Sequence, residues 1–228
     1  MAAYKEITML IRQILLKRGI TVGAANISDN HEIKPALEGL GISFPKKVIV
    51  LVGGAGGIGF LDQFSMQKAV RIVSRLADKM DAIVVDGGTQ AGIMAEIGKQ
   101  RKRNNFSFPL IGIVFDALLM REEPKSILDA NHTHFILIPG DDWGDESAWI
   151  SKIATVIAGN EKSITILVNG GNISQHDVQY SMLEKRPVFI MRGTGRLADE
   201  ITLSLNVTAV DISEGSGKIL EYLEKKLL

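Results

Sequence analysis

Seven short runs of apolar, mostly β-branched residues recur along the chain: Val48–Val52, Ala82–Val85, Leu110–Phe115, Phe135–Ile138, Ile164–Val168, Val188–Met191 and Val207–Val210. They are continuous rather than alternating, the pattern of strands buried on both faces of a parallel sheet. Between most of them the apolar positions switch to a helical period. Ala69, Ile72, Val73, Leu76 and Met80 form one stripe. Trp149, Ile150, Ile153, Ala154 and Ile157 form a second, and Ile219, Leu220, Leu223 and Leu227 a third. Strands alternating with helices predict an α/β fold: a single Rossmann-like, mostly parallel sheet with helices on both faces, over residues 47–228.

Residues 1–46 precede the first strong strand. Ile7, Leu10, Ile11, Ile14 and Leu15 lie at helical spacing and predict an amphipathic helix, so this segment reads as an N-terminal helical extension packed on the core. Pro35, Gly39, Gly41 and Pro45 mark irregular structure after it.

Composition narrows the function classes. The 228 residues carry 26 basic and 26 acidic side chains, a formal charge of zero, so the basic footprint of a nucleic-acid binder is missing. The absence of cysteine excludes a disulfide framework, a thiolate metal site and a cysteine nucleophile. No apolar run approaches the roughly 18 residues of a membrane span, and no secretory h-region precedes Arg12. The expected protein is soluble and cytoplasmic, with neither a nucleic-acid nor a membrane partner.

Glycine is the informative excess. Sixteen of the 23 glycines fall in loops just after a predicted strand. In a parallel sheet those loops share the carboxyl edge, where ligands of such folds bind. Glycine there lets backbone N–H groups approach a phosphate, and helix N-termini add partial positive charge. The first loop, Gly53-Gly-Ala-Gly-Gly-Ile-Gly59, contains G-x-G-x-x-G at Gly54, Gly56 and Gly59. A dinucleotide site also needs an acidic residue at the end of the second strand. Asp86 is there, but it is followed at once by a second phosphate-type turn, Gly87-Gly-Thr89, which strains an NAD oxidoreductase reading. No lysine follows the first loop in P-loop fashion.

Pro139-Gly-Asp-Asp-Trp-Gly-Asp-Glu146 places four carboxylates and an indole on the same edge. Asp142 and its neighbours could bind a ribose diol, hold Mg²⁺ beside a phosphate or activate water, and Trp143 could stack on a base. His132 and His134 at i, i+2 share a strand face without a third metal ligand at suitable spacing, so no metal site is assigned. Asn169-Gly-Gly171 closes the next strand, with Asn172 or Ser174 as the helix cap. Arg192-Gly-Thr-Gly-Arg196 then offers a Gly-x-Gly turn with an arginine against the helix dipole, which suits a phosphate.

Six ordered motifs carry a family resemblance: Leu51-Val-Gly-Gly54, Val85-Asp-Gly-Gly-Thr-x-Ala-Gly92, Asn131-His-Thr-His-Phe135, Pro139-Gly-Asp-x-Trp-Gly-Asp-Glu146, Leu167-Val-Asn-Gly-Gly171 and Gly193-Thr-Gly-Arg-Leu-Ala-Asp199. Over about residues 47 to 205 the chain resembles the prokaryotic LSDAT branch of the SLOG superfamily, itself similar to the N-terminal ligand-sensing region of TRPM cation channels. The resemblance implies a Rossmann-like domain that binds a nucleotide-derived ligand such as ADP-ribose. It carries ligand contact onto Gly53, Gly54, Gly87, Gly88, Thr89, Gly171, Gly193, Thr194, Gly195 and Arg196, with Asp142 and Trp143 as lining residues. Gly56 joins them as part of the first glycine loop.

The wider superfamily includes LOG-type enzymes that release the base from a nucleoside monophosphate, with a catalytic Glu on the helix after the glycine turn. Here the nearest acid, Glu96, lies seven residues past Thr89 rather than three. The expected function is therefore a sensor of a small nucleotide derivative, the alternative a LOG-like nucleotide hydrolase, and a homo-oligomer and a downstream protein partner remain open.

Overall fold

The computed structural model describes residues 11–54, 56, 59–120, 128–202 and 204–228. Nine strands form one sheet: β1 (Ile11–Leu15), β2 (Thr21–Asn26), β3 (Val48–Gly53), β4 (Ile83–Asp86), β5 (Leu110–Phe115), β6 (His134–Ile138), β7 (Ser163–Val168), β8 (Val188–Arg192) and β9 (Val207–Asp211). Their spatial order is β1-β2-β6-β5-β4-β3-β7-β8-β9. Every pairing is parallel except β1 with β2. Each of the seven apolar runs is a strand.

Both faces of the sheet are covered, which is why those runs do not alternate. Along β3, Val48, Val50 and Val52 point into one core and Ile49 and Leu51 into the other. The first core is roofed by α1 (Ile33–Gly39), α4 (Glu146–Ala158), α5 (Asn172–Leu183) and α6 (Leu197–Glu200). The second is roofed by α2 (Phe60–Lys79), α3 (Gly92–Arg103) and α7 (Ser216–Leu227). The three predicted stripes lie on α2, α4 and α7 and face these cores. None of the described helices is long and apolar enough to cross a membrane.

The N-terminal reading is corrected. Ile11–Leu15 is a strand, not part of a helix, and pairs with β2, which in turn extends the sheet beside β6. A few apolar residues at 11, 14 and 15 fit either period, and backbone pairing with β2 decides for the strand. Only Ile14 of β1 is buried. β2 escapes notice because Gly23, Ala24 and Ala25 carry little hydrophobic signal, yet Ala24 and Ala25 are fully buried. Helix does occur in this segment, as α1. Ile7 and Leu10 lie outside the described residues.

Two buried features fix the layers. Gly88 and Gly112 bring neighbouring chain segments into contact: a Cβ on Gly112 would sit 2.6 Å from the Gly88 Cα and 2.6 Å from the Phe135 ring. Backbone on one side and a core ring on the other leave it no room. Gly112→Ala is expected to lower the unfolding free energy by about 2 kcal/mol, within the range for overpacked cores. Urea denaturation measures this directly, and an unchanged midpoint would contradict the contact.

The second feature is Arg186, 2 % exposed. Its guanidinium donates to the Ser151 carbonyl (2.8 Å), the Ser151 hydroxyl (3.0 Å) and Thr155 Oγ1 (2.8 Å), with longer contacts to Ser163 and Ser181. It thereby joins α4, the C-terminal part of α5 and the start of β7. Burial among neutral acceptors pulls its pKa down to about 10, leaving it cationic at neutral pH.

Candidate ligand-binding cleft

β3 and β7 are neighbours in the sheet, while the strands that follow them in the chain lie on opposite sides of the pair. Such a reversal splays the loops apart and opens a crevice at the carboxyl edge. A cleft of about 580 Å³ occupies this place. Its floor is the end of β3, and its walls are the first turns of α3, α4 and α5 and the turn after β8. Three helices of twelve or more residues thus point their N-termini at it, a favourable setting for an anion.

Of the thirteen residues named from sequence, Gly53, Gly54, Gly56, Gly87, Thr89, Trp143, Gly171 and Arg196 line this cleft. Arg196 is the central cation. Its Nη1 donates to the Gly56 carbonyl at 2.7 Å, linking the turn after β8 to the loop after β3. Its guanidinium rests in a slot cut by glycine. A Cβ on Gly171 would come within 2.6 Å of Nη2, and one on Gly54 within 3.4 Å of Nη1. The residue is exposed, so its remaining donors are accessible. Its backbone sits at φ 53°, ψ −135°, a conformation that strains any side-chain-bearing residue by about 1–3 kcal/mol and that clusters at functional sites.

The other five sit elsewhere. Gly88 is buried, its N–H donated to Asp86 Oδ1 at 2.8 Å. Gly193 and Gly195 do turn at positive φ, but their N–H groups donate to the two oxygens of Asp199 at 2.6 and 2.9 Å. The amides expected to hold a phosphate are held by a carboxylate six and four residues away in the chain. Thr194 is a buried staple, its hydroxyl accepting from Asn169 N–H and donating to the Met191 carbonyl. Asp142 is exposed in a turn, where its N–H and that of Asp141 both donate to Asp145 Oδ2.

Trp143 packs edge-on against Phe115 with centroids 5.1 Å apart, yet remains 37 % exposed. Its indole is both fixed and available for stacking. Glu146, at the start of α4, accepts from the Gly144 N–H at 2.8 Å. Burial pushes its carboxyl up in pKa against the help of that N–H, with Asp145 adding to the rise. Facing it from α5 is Asp177, which sequence reasoning did not single out. Burial, only partly offset by a hydrogen bond from the Ser147 hydroxyl and reinforced by Glu146, pushes Asp177 up to about 7. Both carboxyl groups line the cleft. Asp177 follows Ile173 and Ser174 by four and three residues, so the helical face that lines the cleft could have identified it.

Ser174 does serve the cap, its hydroxyl accepting from the Gly171 N–H at 3.4 Å. Glu96 is buried outside the cleft lining, bonded to Gln100 at 2.6 Å and Lys99 at 3.3 Å. Asp86 is fully buried beneath the second glycine turn and accepts from His132 Nε2 at 2.8 Å, so it is not presented to a ribose in the cleft. His132 is likewise committed, its Nδ1 donating to Asp129 Oδ2 at 3.0 Å. Among the described residues no group of three or more His, Asp or Glu side chains is arranged to hold a metal ion.

The profile of the family described as "SLOG in TRPM, prokaryote" matches residues 46–226, four-fifths of the chain and every element lining the cleft. The chain belongs to this family. Among curated proteins, this SLOG domain is similar to transient receptor potential cation channel subfamily M member 2 of Rattus norvegicus, 22 % identical over 220 residues. The Mus musculus protein of the same name is 22 % identical over 221 residues. Each alignment covers 76 % of this chain but only 14 % of the channel. The X-ray structure of the structural-genomics target TM1055 superposes with a TM-score of 0.54 at 19 % identity, covering 78 % of this chain and 99 % of that one. That likeness establishes the Rossmann-type fold.

Proposed function

We propose that this SLOG domain is a binding module for a small nucleotide derivative of the ADP-ribose type. The observation that carries the reading is Arg196: a strained, exposed arginine inserted between the glycines of two loops, beside the N-terminus of α5. A guanidinium so placed offers forked donors to a phosphate. The glycine backbone near Gly53, Gly54 and Gly171 allows close approach of a ligand to the N-terminus of α5, and Trp143 supplies a stacking surface. Family membership and the similarity to the channel region support a ligand-binding role. A phosphate ligand also reconciles the site with a chain of zero net charge, because backbone dipoles and one cation suffice.

Thermal unfolding with ADP-ribose, AMP and NAD tests this. A ligand at a hundredfold excess over its Kd stabilises the native state by about 2.7 kcal/mol, roughly 5–10 °C in Tm for a domain of this size. ADP-ribose is expected to give such a shift. If none of the three moves Tm, the nucleotide reading is wrong. Release of free adenine from AMP during incubation would instead favour the LOG-like hydrolase.

A further inference from the structure

Asp177 is hard to explain as a structural residue. It is 8 % exposed, it lies inside the cleft, and among the described residues its Oδ1 accepts no well-formed hydrogen bond, the nearby Ser147 hydroxyl being the one group that eases its charge. Buried polar atoms are almost always paired. A buried carboxylate without a cationic partner weakens a fold. The second carboxyl beside it, Glu146, makes the position worse for a negative charge. Local rules broken without compensation inside the protein mark functional positions.

The cleft is also chemically divided. At one end stand donors: Arg196, Gly171 and the first amides of α5. Six residues further along that helix, about 9 Å at 1.5 Å per residue, stands an acceptor with an open valence. Apolar and aromatic groups, among them Met94, Ile150 and Trp143, lie in the same cleft. A ligand filling both ends has a phosphate at one and a hydrogen-bond donor at the other.

We propose that Asp177, backed by Glu146, is the acceptor that selects the ligand by a hydroxyl or amino donor on its unphosphorylated part. This rests on the nucleotide reading and deepens it. The shared chemistry is a hydrogen bond from the ligand to Asp177 Oδ1, supplied either by ribose hydroxyls or by the exocyclic amine of the base. The bond favours ionised Asp177, and its strength fades as Asp177 protonates near pH 7. The groups facing Asp177 are Glu146 and the Ser147 hydroxyl from α4, with His176 beside it on its own helix and Arg196 at the other end of the cleft. β3 presents Leu51, Val52 and Gly53 to the cleft, none of them titratable.

The test is calorimetric titration of wild type, Asp177→Asn and Arg196→Ala with ADP-ribose, its inosine counterpart, and its 2′- and 3′-deoxyadenosine counterparts. Wild type is expected to bind one of the donor-deleted analogues at least tenfold more weakly than ADP-ribose. The inosine compound identifies the amine as the donor, and the deoxy compounds identify the sugar. Asp177→Asn is expected to erase most of that discrimination and to flatten a wild-type loss of affinity between pH 8 and pH 6. It is also expected to melt higher than wild type at pH 8, whereas a structural carboxylate would melt lower on replacement. If wild type and Arg196→Ala behave as expected but Asp177→Asn keeps wild-type discrimination, the Asp177 proposal alone fails. If wild type binds none of the compounds, the nucleotide reading fails and this proposal falls with it.

Discussion

Replacing His132 with leucine is expected to lower the unfolding free energy by about 3–5 kcal/mol, the usual penalty for breaking a buried ion pair. The imidazole is completely enclosed between Asp86 at 2.8 Å and Asp129 at 3.0 Å and stacks on Phe135 at 5.5 Å. The two carboxylates also organise the backbone. Asp86 receives the Gly88 N–H, and the Asp129 N–H donates to the Gly88 carbonyl. Removing the ring would leave two buried carboxylates facing each other without a cation, and the second glycine turn would lose its support. Guanidinium denaturation at pH 7 provides the measurement, and a loss below 1 kcal/mol would refute a charged role.

The pH dependence gives an independent check. Burial pulls the His132 pKa down, but Asp86 and Asp129 outweigh it and raise the value to about 9 from 6.5. A folded-state value above the unfolded one stabilises fully below pH 6.5 and loses that contribution as pH rises through 9. The shift corresponds to roughly 3 kcal/mol. Wild-type stability should therefore fall between pH 7 and pH 10, and the leucine variant should show a flatter profile over that window.

Arg196→Ala is expected to weaken ADP-ribose binding by about a hundredfold or more, because each hydrogen bond from a cation is worth about 1.5–3 kcal/mol and a guanidinium makes two to one phosphate. Lysine should recover only part of this, since an ammonium lacks the fork. Stability should barely respond. The residue is exposed, and among the described residues its side chain makes one hydrogen bond, to Gly56, while its backbone strain opposes it. Arg196→Gly is the sharper variant: glycine accepts the positive φ without strain, so binding is lost while the unfolding free energy stays within about 1 kcal/mol, given the entropy that glycine returns to the unfolded chain. Calorimetry and denaturation on the same sample separate the two effects, and binding within threefold of wild type would exclude Arg196 from the phosphate site.

The central sheet was legible because strands covered on both faces must be almost continuously apolar, a signal that β3 to β8 carry and that the edge strand β9, with Thr208 and Asp211 exposed, carries only in part. β1 and β2 lacked it. One shows its neighbours a single buried residue, and the other packs through glycine and alanine. The cleft was legible where its chemistry needs glycine or an arginine out of place against a helix dipole. Gly193 and Gly195 illustrate the limit. Their spacing announces a turn with free amides, and only the folded chain shows Asp199 occupying them. Asp177 and Arg186 are the converse, since a lone charged residue in a helix or just beyond one reads as solvated until its surroundings are known.

The anchoring of α4 and α5 by Arg186 bears on how the cleft works. Both helices follow parallel strands, so both aim their N-termini at the cleft and their C-termini away from it. Arg186 clasps them at the far side through Ser151, Thr155 and Ser181. At the near side Glu146 and Asp177 face each other as like charges. The two helices are tied together away from the cleft and each carries an acid inside it, Glu146 at the start of α4 and Asp177 midway along α5. Their mutual repulsion therefore acts on a helix pair whose register Arg186 already holds. The wall of the cleft made by α4 and α5 is thus set from behind, by a buried cation that a ligand never touches.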